Sequence, residues 1–132
     1  MSDEKRMTPQ LIDIARRLVA LELDLDYSTE EKLTLGHWKD GKPIYKKTID
    51  CGAMPNNTHK LVPHGITNLD IMVDFKCTTK NPSTKAQAVI PNGATLVNPG
   101  VTIDDENVLL RPTYDMTAYT ETYVTIWYTK TK

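Results

Sequence analysis

Serine is scarce in this chain. Ser2, Ser28 and Ser83 are the whole set, and none sits in a G-x-S-x-G elbow, so a serine nucleophile on a strained strand-to-helix turn has no support. The six glycines form neither G-x-G-x-x-G nor a P-loop, which leaves no visible backbone cradle for phosphate. Cys51 and Cys77 are the only cysteines. They read most simply as small buried hydrophobes in strands, with a disulfide or a metal site as the alternative. His37, His59 and His64 fall at spacings that match no zinc pattern, so turn or strand-edge roles are expected and no cofactor is. Charge of one sign is also lacking. Sixteen basic and seventeen acidic residues leave a net charge of −1, which removes the broad positive field that nucleic-acid binding relies on. No apolar run approaches the roughly 20 residues of a membrane-spanning helix. The charged start MSDEKRMTPQ leads into no signal-peptide core, so neither membrane insertion nor export is expected.

What remains is one domain's worth of chain, 132 residues with 39% hydrophobic content. That supports one modest core, with a second copy of the chain as a natural way to complete its burial.

The Gly36–Cys51 stretch divides the chain, with helical sequence before it and short strands after. Thr8-Pro9 is a helix start, Thr8 as N-cap and Pro9 at the first helical position, where a missing N–H costs nothing. Leu11, Ile14, Leu18, Leu21 and Leu25 follow at steps of three, four, three and four. This is a heptad seam with Leu11, Leu18 and Leu25 at a and Ile14 and Leu21 at d. In a parallel bundle Arg17 would face Glu22 of a neighbouring copy. The same spacing also suits an amphipathic helix packed on its own domain, and Ile12, Val19 and Leu23 widen the stripe in either case. Asp26–Leu35 reads as a polar link.

Asp40-Gly41 is the dipeptide of a two-residue hairpin turn, with alternation from Ile44 to Ile49 beyond it. Leu69–Thr79 alternates most clearly, Leu69, Ile71, Val73, Phe75 and Cys77 against Asp70, Met72, Asp74, Lys76 and Thr78. Further strands are expected at Thr58–His64, Ala86–Ile90, Ala94–Val97, Val101–Ile103, Asn107–Arg111 and Thr120–Lys130. Many short strands with Pro, Asn and Gly turns indicate an antiparallel sandwich. Asp104-Asp105-Glu106 could form an acid/base group or a calcium cage, but reads better as a solvated hairpin turn. Among the aromatics, Trp127 and Tyr123 are expected in the core. Tyr114 and Tyr119, in a loop, are the expected exposed pair and the candidate ligand-binding residues.

Five blocks of sequence carry a resemblance. They are Tyr27-Ser28-Thr29-Glu30-Glu31, Trp38-x-Asp40-Gly41-Lys42-Pro43-Ile44-Tyr45-x-Lys47, Pro55-Asn56-Asn57-Thr58, His64-Gly65-Ile66-x-Asn68-Leu69-Asp70, and Ala118-Tyr119-Thr120-x-x-Tyr123-Val124-Thr125-Ile126-x-Tyr128-Thr129-Lys130-Thr131. In order and content they resemble the fibre and receptor-binding tip domains of bacteriophages of gut and Gram-positive bacteria. The segment 80–99 carries none of these blocks. The resemblance implies a jelly-roll-like β-sandwich knob over residues 27–132, assembled as a homotrimer. Residues 1–26 would then form a short trimeric coiled-coil stem joined through its N-terminus to other virion proteins. It further implies a non-enzymatic virion protein that attaches to a bacterial surface glycan or protein. A tail-fibre tip or a head fibre would suit this description, the short stem favouring the head fibre or a small adaptor-mounted tip. The alternatives are a capsid-decorating protein without receptor binding and a glycan-degrading enzyme, which would need clustered carboxylates.

Overall fold

The computed structural model describes residues 8–25, 27–91 and 99–132, with backbone alone for 19–25. A helix α1 (Pro9–Leu25) precedes eight strands: β1 (Lys32–His37), β2 (Pro43–Gly52), β3 (Lys60–Pro63), β4 (Leu69–Lys80), β5 (Gln87–Ile90), β6 (Gly100–Ile103), β7 (Asn107–Arg111) and β8 (Glu121–Lys130). The fold is mainly β and its sheets are antiparallel. One sheet runs β1-β2-β8-β4-β5 and the other β3-β7-β6. The strand expected at Ala94–Val97 lies outside the described residues.

Thr8 caps α1 as its position demands, its Oγ1 accepting the Leu11 N–H at 3.2 Å. The helix lies against β1, yet Leu11, Ile14 and Leu18 stay 50%, 52% and 57% exposed. The side chains of Leu21, Leu25 and Glu22 lie outside the described residues. Arg17 pairs within its own helix, Nε 3.1 Å from Asp13.

The two sheets contribute to one core. Val124, Ile126 and Tyr128 of β8 meet Ile49 and Cys51 of β2, Cys77 of β4, and Val101, Val108 and Leu110 of the smaller sheet, in a single buried cluster. Period-2 alternation explains this. Each strand sends every second side chain inward, and β8 is flanked by β2 and β4 on both edges. Strand β8 is therefore the middle of the larger sheet and pairs with strands far from it in sequence, so that sheet is held by long-range contacts.

Half-buried lysines tie off carbonyls around the core. Lys60 Nζ donates to the carbonyls of Cys51 and Ala53, both at 2.8 Å, and Lys47 Nζ donates to that of His64 at 2.6 Å. These bonds satisfy acceptors at strand ends that have no ladder partner.

Four local expectations need correction. The polar link over Asp26–Leu35 ends in a strand: Lys32 and Leu33 pair with Lys46 and Tyr45, and Leu33 and Leu35 stay exposed because β1 is a sheet edge. The hairpin turn is not a two-residue one. Gly41 N–H donates to the Trp38 carbonyl and Trp38 N–H to the Lys42 carbonyl, both at 2.8 Å. Gly41 has φ +88°, and Asp40 is not among the positive-φ residues. This is the three-residue loop, a type I turn closed by a left-handed residue. In β4 the alternation slips at irregularities between Leu69 and Asp74. Met72 therefore packs toward the core, while Val73 turns to the opposite face with Asp74 and Trp127. Finally, Tyr123 is 42% exposed and Trp127 is half-buried on that same outer face, so neither is a core residue.

Candidate functional site

The outer face of the five-stranded sheet carries a grid set by strand register. Thr48, Thr125 and Lys76 stand side by side across β2, β8 and β4; Asp50, Tyr123 and Thr78 form the next row; and Lys46, Trp127 and Asp74 the row on the other side. Rows lie roughly 6.6–6.8 Å apart along a strand and about 4.8 Å apart across strands. On β8 the pattern is large, small, large, with Thr125 between Tyr123 and Trp127. The short threonine leaves a depression that the two rings border.

That depression is a cavity of about 350 Å³ lined by Tyr27, Thr29, Thr48, Lys76, Thr78, Tyr123 and Thr125. Its floor is fixed by a buried hydrogen bond of 2.9 Å between the hydroxyls of Thr48 and Thr125. Its rim is closed by the segment that enters β1. The Ser28 carbonyl accepts the Thr48 N–H at 2.9 Å, and Ser28 Oγ accepts the Glu30 N–H at 3.1 Å, which holds Tyr27 and Thr29 over the sheet. Tyr27 lies across Lys46, whose ammonium is 3.9 Å from its ring centroid and 5.5 Å from that of Trp127. Such a cation between two rings is attractive and becomes stronger as water is excluded; Lys46 is only 4% exposed. A second depression, lined by Thr34, Gly36, Ile44, Val73, Asp74 and Trp127, continues the face beyond Trp127.

Chemically, the first cavity offers hydroxyls, phenol rings and one ammonium. Among the described residues no carboxylate, imidazole or thiol lines it; the rings and hydroxyls present suit stacking and hydrogen bonding.

The residues expected to bind ligand lie elsewhere. Tyr114 is exposed, but Tyr119 is half-buried against the core, so they are not an exposed pair, and neither lines the groove. The loop that carries them is pinned to the segment after β2. Met54 N–H donates to the Tyr119 carbonyl at 2.9 Å, and Met116 N–H to that of Pro55 at 3.3 Å, which draws the Tyr119 ring inward. Trp127 and Tyr123 could have been found from the period-2 pattern of β8, which already placed them beside Thr125 on one face.

The other candidate groups are occupied by structural tasks. His64 is buried, its Nδ1 accepting the Ile66 N–H at 3.0 Å. Its Nε2 is therefore the protonated nitrogen and donates to the Asp104 carbonyl at 2.8 Å, which leaves no lone pair for a metal. Among the described residues no group of three His, Cys, Asp or Glu side chains is placed to hold a metal ion. Asp104 accepts the N–H groups of Asn107 and Glu106 at 2.6 and 2.9 Å, which hold its carboxyl below the usual range; it closes the β6–β7 turn. Cys51 and Cys77 are buried free thiols, and desolvation pushes them up to about 11 and about 12. Among the described residues no helix is long and apolar enough to cross a membrane.

Neither a family model, nor a curated protein, nor a solved structure matches this chain.

Proposed function

We propose that the chain is a bacteriophage virion attachment protein, a homotrimeric fibre or spike whose knob binds a bacterial surface glycan or protein and performs no catalysis. The observation that carries this reading is the outer-sheet groove, where Tyr27 and Tyr123 stand exposed above a floor of paired threonines. Exposed amphipathic rings beside preorganised hydroxyls suit recognition of a hydroxylated surface ligand. The five sequence blocks resembling phage fibre tips point the same way.

Eight strands in two antiparallel sheets, with β8 between β2 and β4 and β3 beside β7, support the jelly-roll-like sandwich. The exposed Leu11, Ile14 and Leu18 support a stem in which residues 1–26 of three copies pack through the heptad seam that continues to Leu21 and Leu25. Three weak sites on one stem gain avidity through effective concentration. The N-terminus of the stem joins other virion proteins, on capsid or tail.

Light scattering on the full chain tests assembly. The expected mass is three times the 14.9 kDa of one chain, falling to one chain in Leu11→Asp/Leu18→Asp. A wild-type monomer overturns the fibre. Pull-down on immobilised bacterial capsule and cell-wall polysaccharides tests attachment. A trimer that binds neither these polysaccharides nor whole bacterial cells would be a decorating protein instead.

A further inference from the structure

The groove on the outer sheet is specific enough to name a ligand class, and this step rests on the attachment reading above. We infer that the cavity between Tyr27 and Tyr123 takes a single sugar unit bearing a negative charge, a carboxylate or a phosphate, with the anion held at Lys76.

Three observations carry the assignment. The first is the charge of the lining. Among the described residues Lys76 is its only ionised side chain; it is exposed and makes no ion pair there. An ammonium offers three donors and no acceptor, so the group that satisfies it best is an anion, through a charge-assisted bond. Lys46 lies behind the Tyr27 ring and adds to the positive potential at the rim. Among the described residues no carboxylate lines the cavity to oppose it.

The second observation is the supply of hydroxyls. Thr48 and Thr125 satisfy each other on the floor, whereas the hydroxyls of Thr29 and Thr78 take no protein partner among the described residues. Each can both donate and accept, which matches a ligand whose hydroxyls do the same. The third is shape. Two phenol rings rise from opposite sides, Tyr123 from β8 and Tyr27 from the segment before β1, over a cavity at the small end of the range for ligand sites. One ring-sized unit can lie on an aromatic face there while its substituents reach the threonines and Lys76. The neighbouring depression past Trp127 contains Asp74 and no lysine, so it would favour a neutral unit of the same chain. The two depressions together predict a polymer in which charged and uncharged sugars alternate or adjoin.

The test uses the full chain and three probes titrated by calorimetry: an oligoglucuronate, a phosphate-linked oligoglucose and a neutral oligoglucose. At least one anionic probe should bind ten times or more tighter than the neutral one, and should weaken as salt is raised. Lys76→Gln should remove that preference by weakening the anionic probe most, while Tyr123→Ala should weaken every probe. Both positions are exposed, and a cooperative thermal melt confirms that the variants fold. Which anionic probe wins separates an acidic polysaccharide from a phosphate-linked wall polymer.

Equal binding of all three probes, or a preference that survives Lys76→Gln, overturns the assignment. If both variants still bind bacterial polysaccharide as the wild type does, the groove assignment fails while attachment stands. If the wild type binds neither bacterial polysaccharide nor whole bacterial cells, attachment and groove fall together.

Discussion

The two faces of strand β8 differ in one respect that decides their roles. Inward, Thr122, Val124, Ile126 and Tyr128 are all wholly buried, each filling its place against a neighbouring strand. Outward, Tyr123, Thr125 and Trp127 alternate large, small and large, and the gap over Thr125 is left open. Both faces use the same backbone and period. The inner face is a packing problem in which any missing volume becomes a void. Among the described residues no second sheet lies over the outer face, so missing volume there becomes a groove.

The inner face should therefore be the costlier to disturb. Ile126→Ala removes a fully buried side chain, and a loss of about 2–5 kcal/mol is expected for such a truncation, read from urea midpoints at unchanged slope. A loss below about 1 kcal/mol would mean that the smaller sheet does not cover β8.

The inner face also carries the two thiols, and they should set the alkaline limit. Burial raises Cys51 and Cys77 in the folded protein to about 11 and about 12, from 9.0 in the unfolded chain. The unfolded state then releases its thiol protons first as pH rises. Stability is intact below pH 9 and falls above it, each thiol contributing a slope that approaches about 1.4 kcal/mol per pH unit. Tyr128 adds to the loss above pH 10. Burial, and then its hydrogen bond to Glu31, raises its phenol in the same direction. Replacing Cys77 by Ala should flatten the slope between pH 9 and 11, whatever it does to stability at pH 7. An unchanged slope would place the titration elsewhere.

An intermediate effect is expected at the floor of the groove, where the outer face is itself buried. Thr125→Val keeps the shape but leaves the Thr48 hydroxyl without its 2.9 Å partner, a loss of about 1–3 kcal/mol for a buried unsatisfied group. The double variant Thr48→Val/Thr125→Val removes both hydroxyls and should recover most of that loss. A double variant as unstable as the sum of the singles would show that the two hydroxyls are not coupled.

How much of this could be read beforehand followed the range of the forces involved. The Thr8-Pro9 helix start and the period-2 strands of β2, β7 and β8 depend on a few neighbouring residues, and they were legible. The buried thiols followed from their place in apolar strands. Strand β1 was missed because Lys32–His37 is short, lies at a sheet edge and leaves its two leucines exposed, and only its pairing with β2 makes it a strand. The slip in β4 was missed because an irregularity of register is decided by the partner strand. The groove was half legible. The sequence of β8 puts Tyr123, Thr125 and Trp127 on one face, but which face has a second sheet over it is a property of topology. Tyr119 illustrates the converse: its loop position suggested exposure, and the hydrogen bonds to the Met54 and Pro55 segment draw the ring inward.

The smallest effect on stability should come from the residue most important to the groove. Tyr123 is 42% exposed, and its phenol makes no hydrogen bond among the described residues. Tyr123→Ala removes a ring that is part covered and part open, and a loss of about 1 kcal/mol or less is expected, well below that of Ile126→Ala. Its backbone keeps its place between Asp50 on β2 and Thr78 on β4, so the strand register has no cause to shift. Set beside Ile126→Ala, three residues along the same strand, the pair separates folding from display: one variant should lose far more stability, the other mainly its aromatic surface. If Tyr123→Ala instead destabilises the proposed trimer but not a single chain, measured as a melting temperature that depends on protein concentration, then the outer face is a contact between copies. The ring would in that case be covered in the assembly and could not serve as a ligand platform.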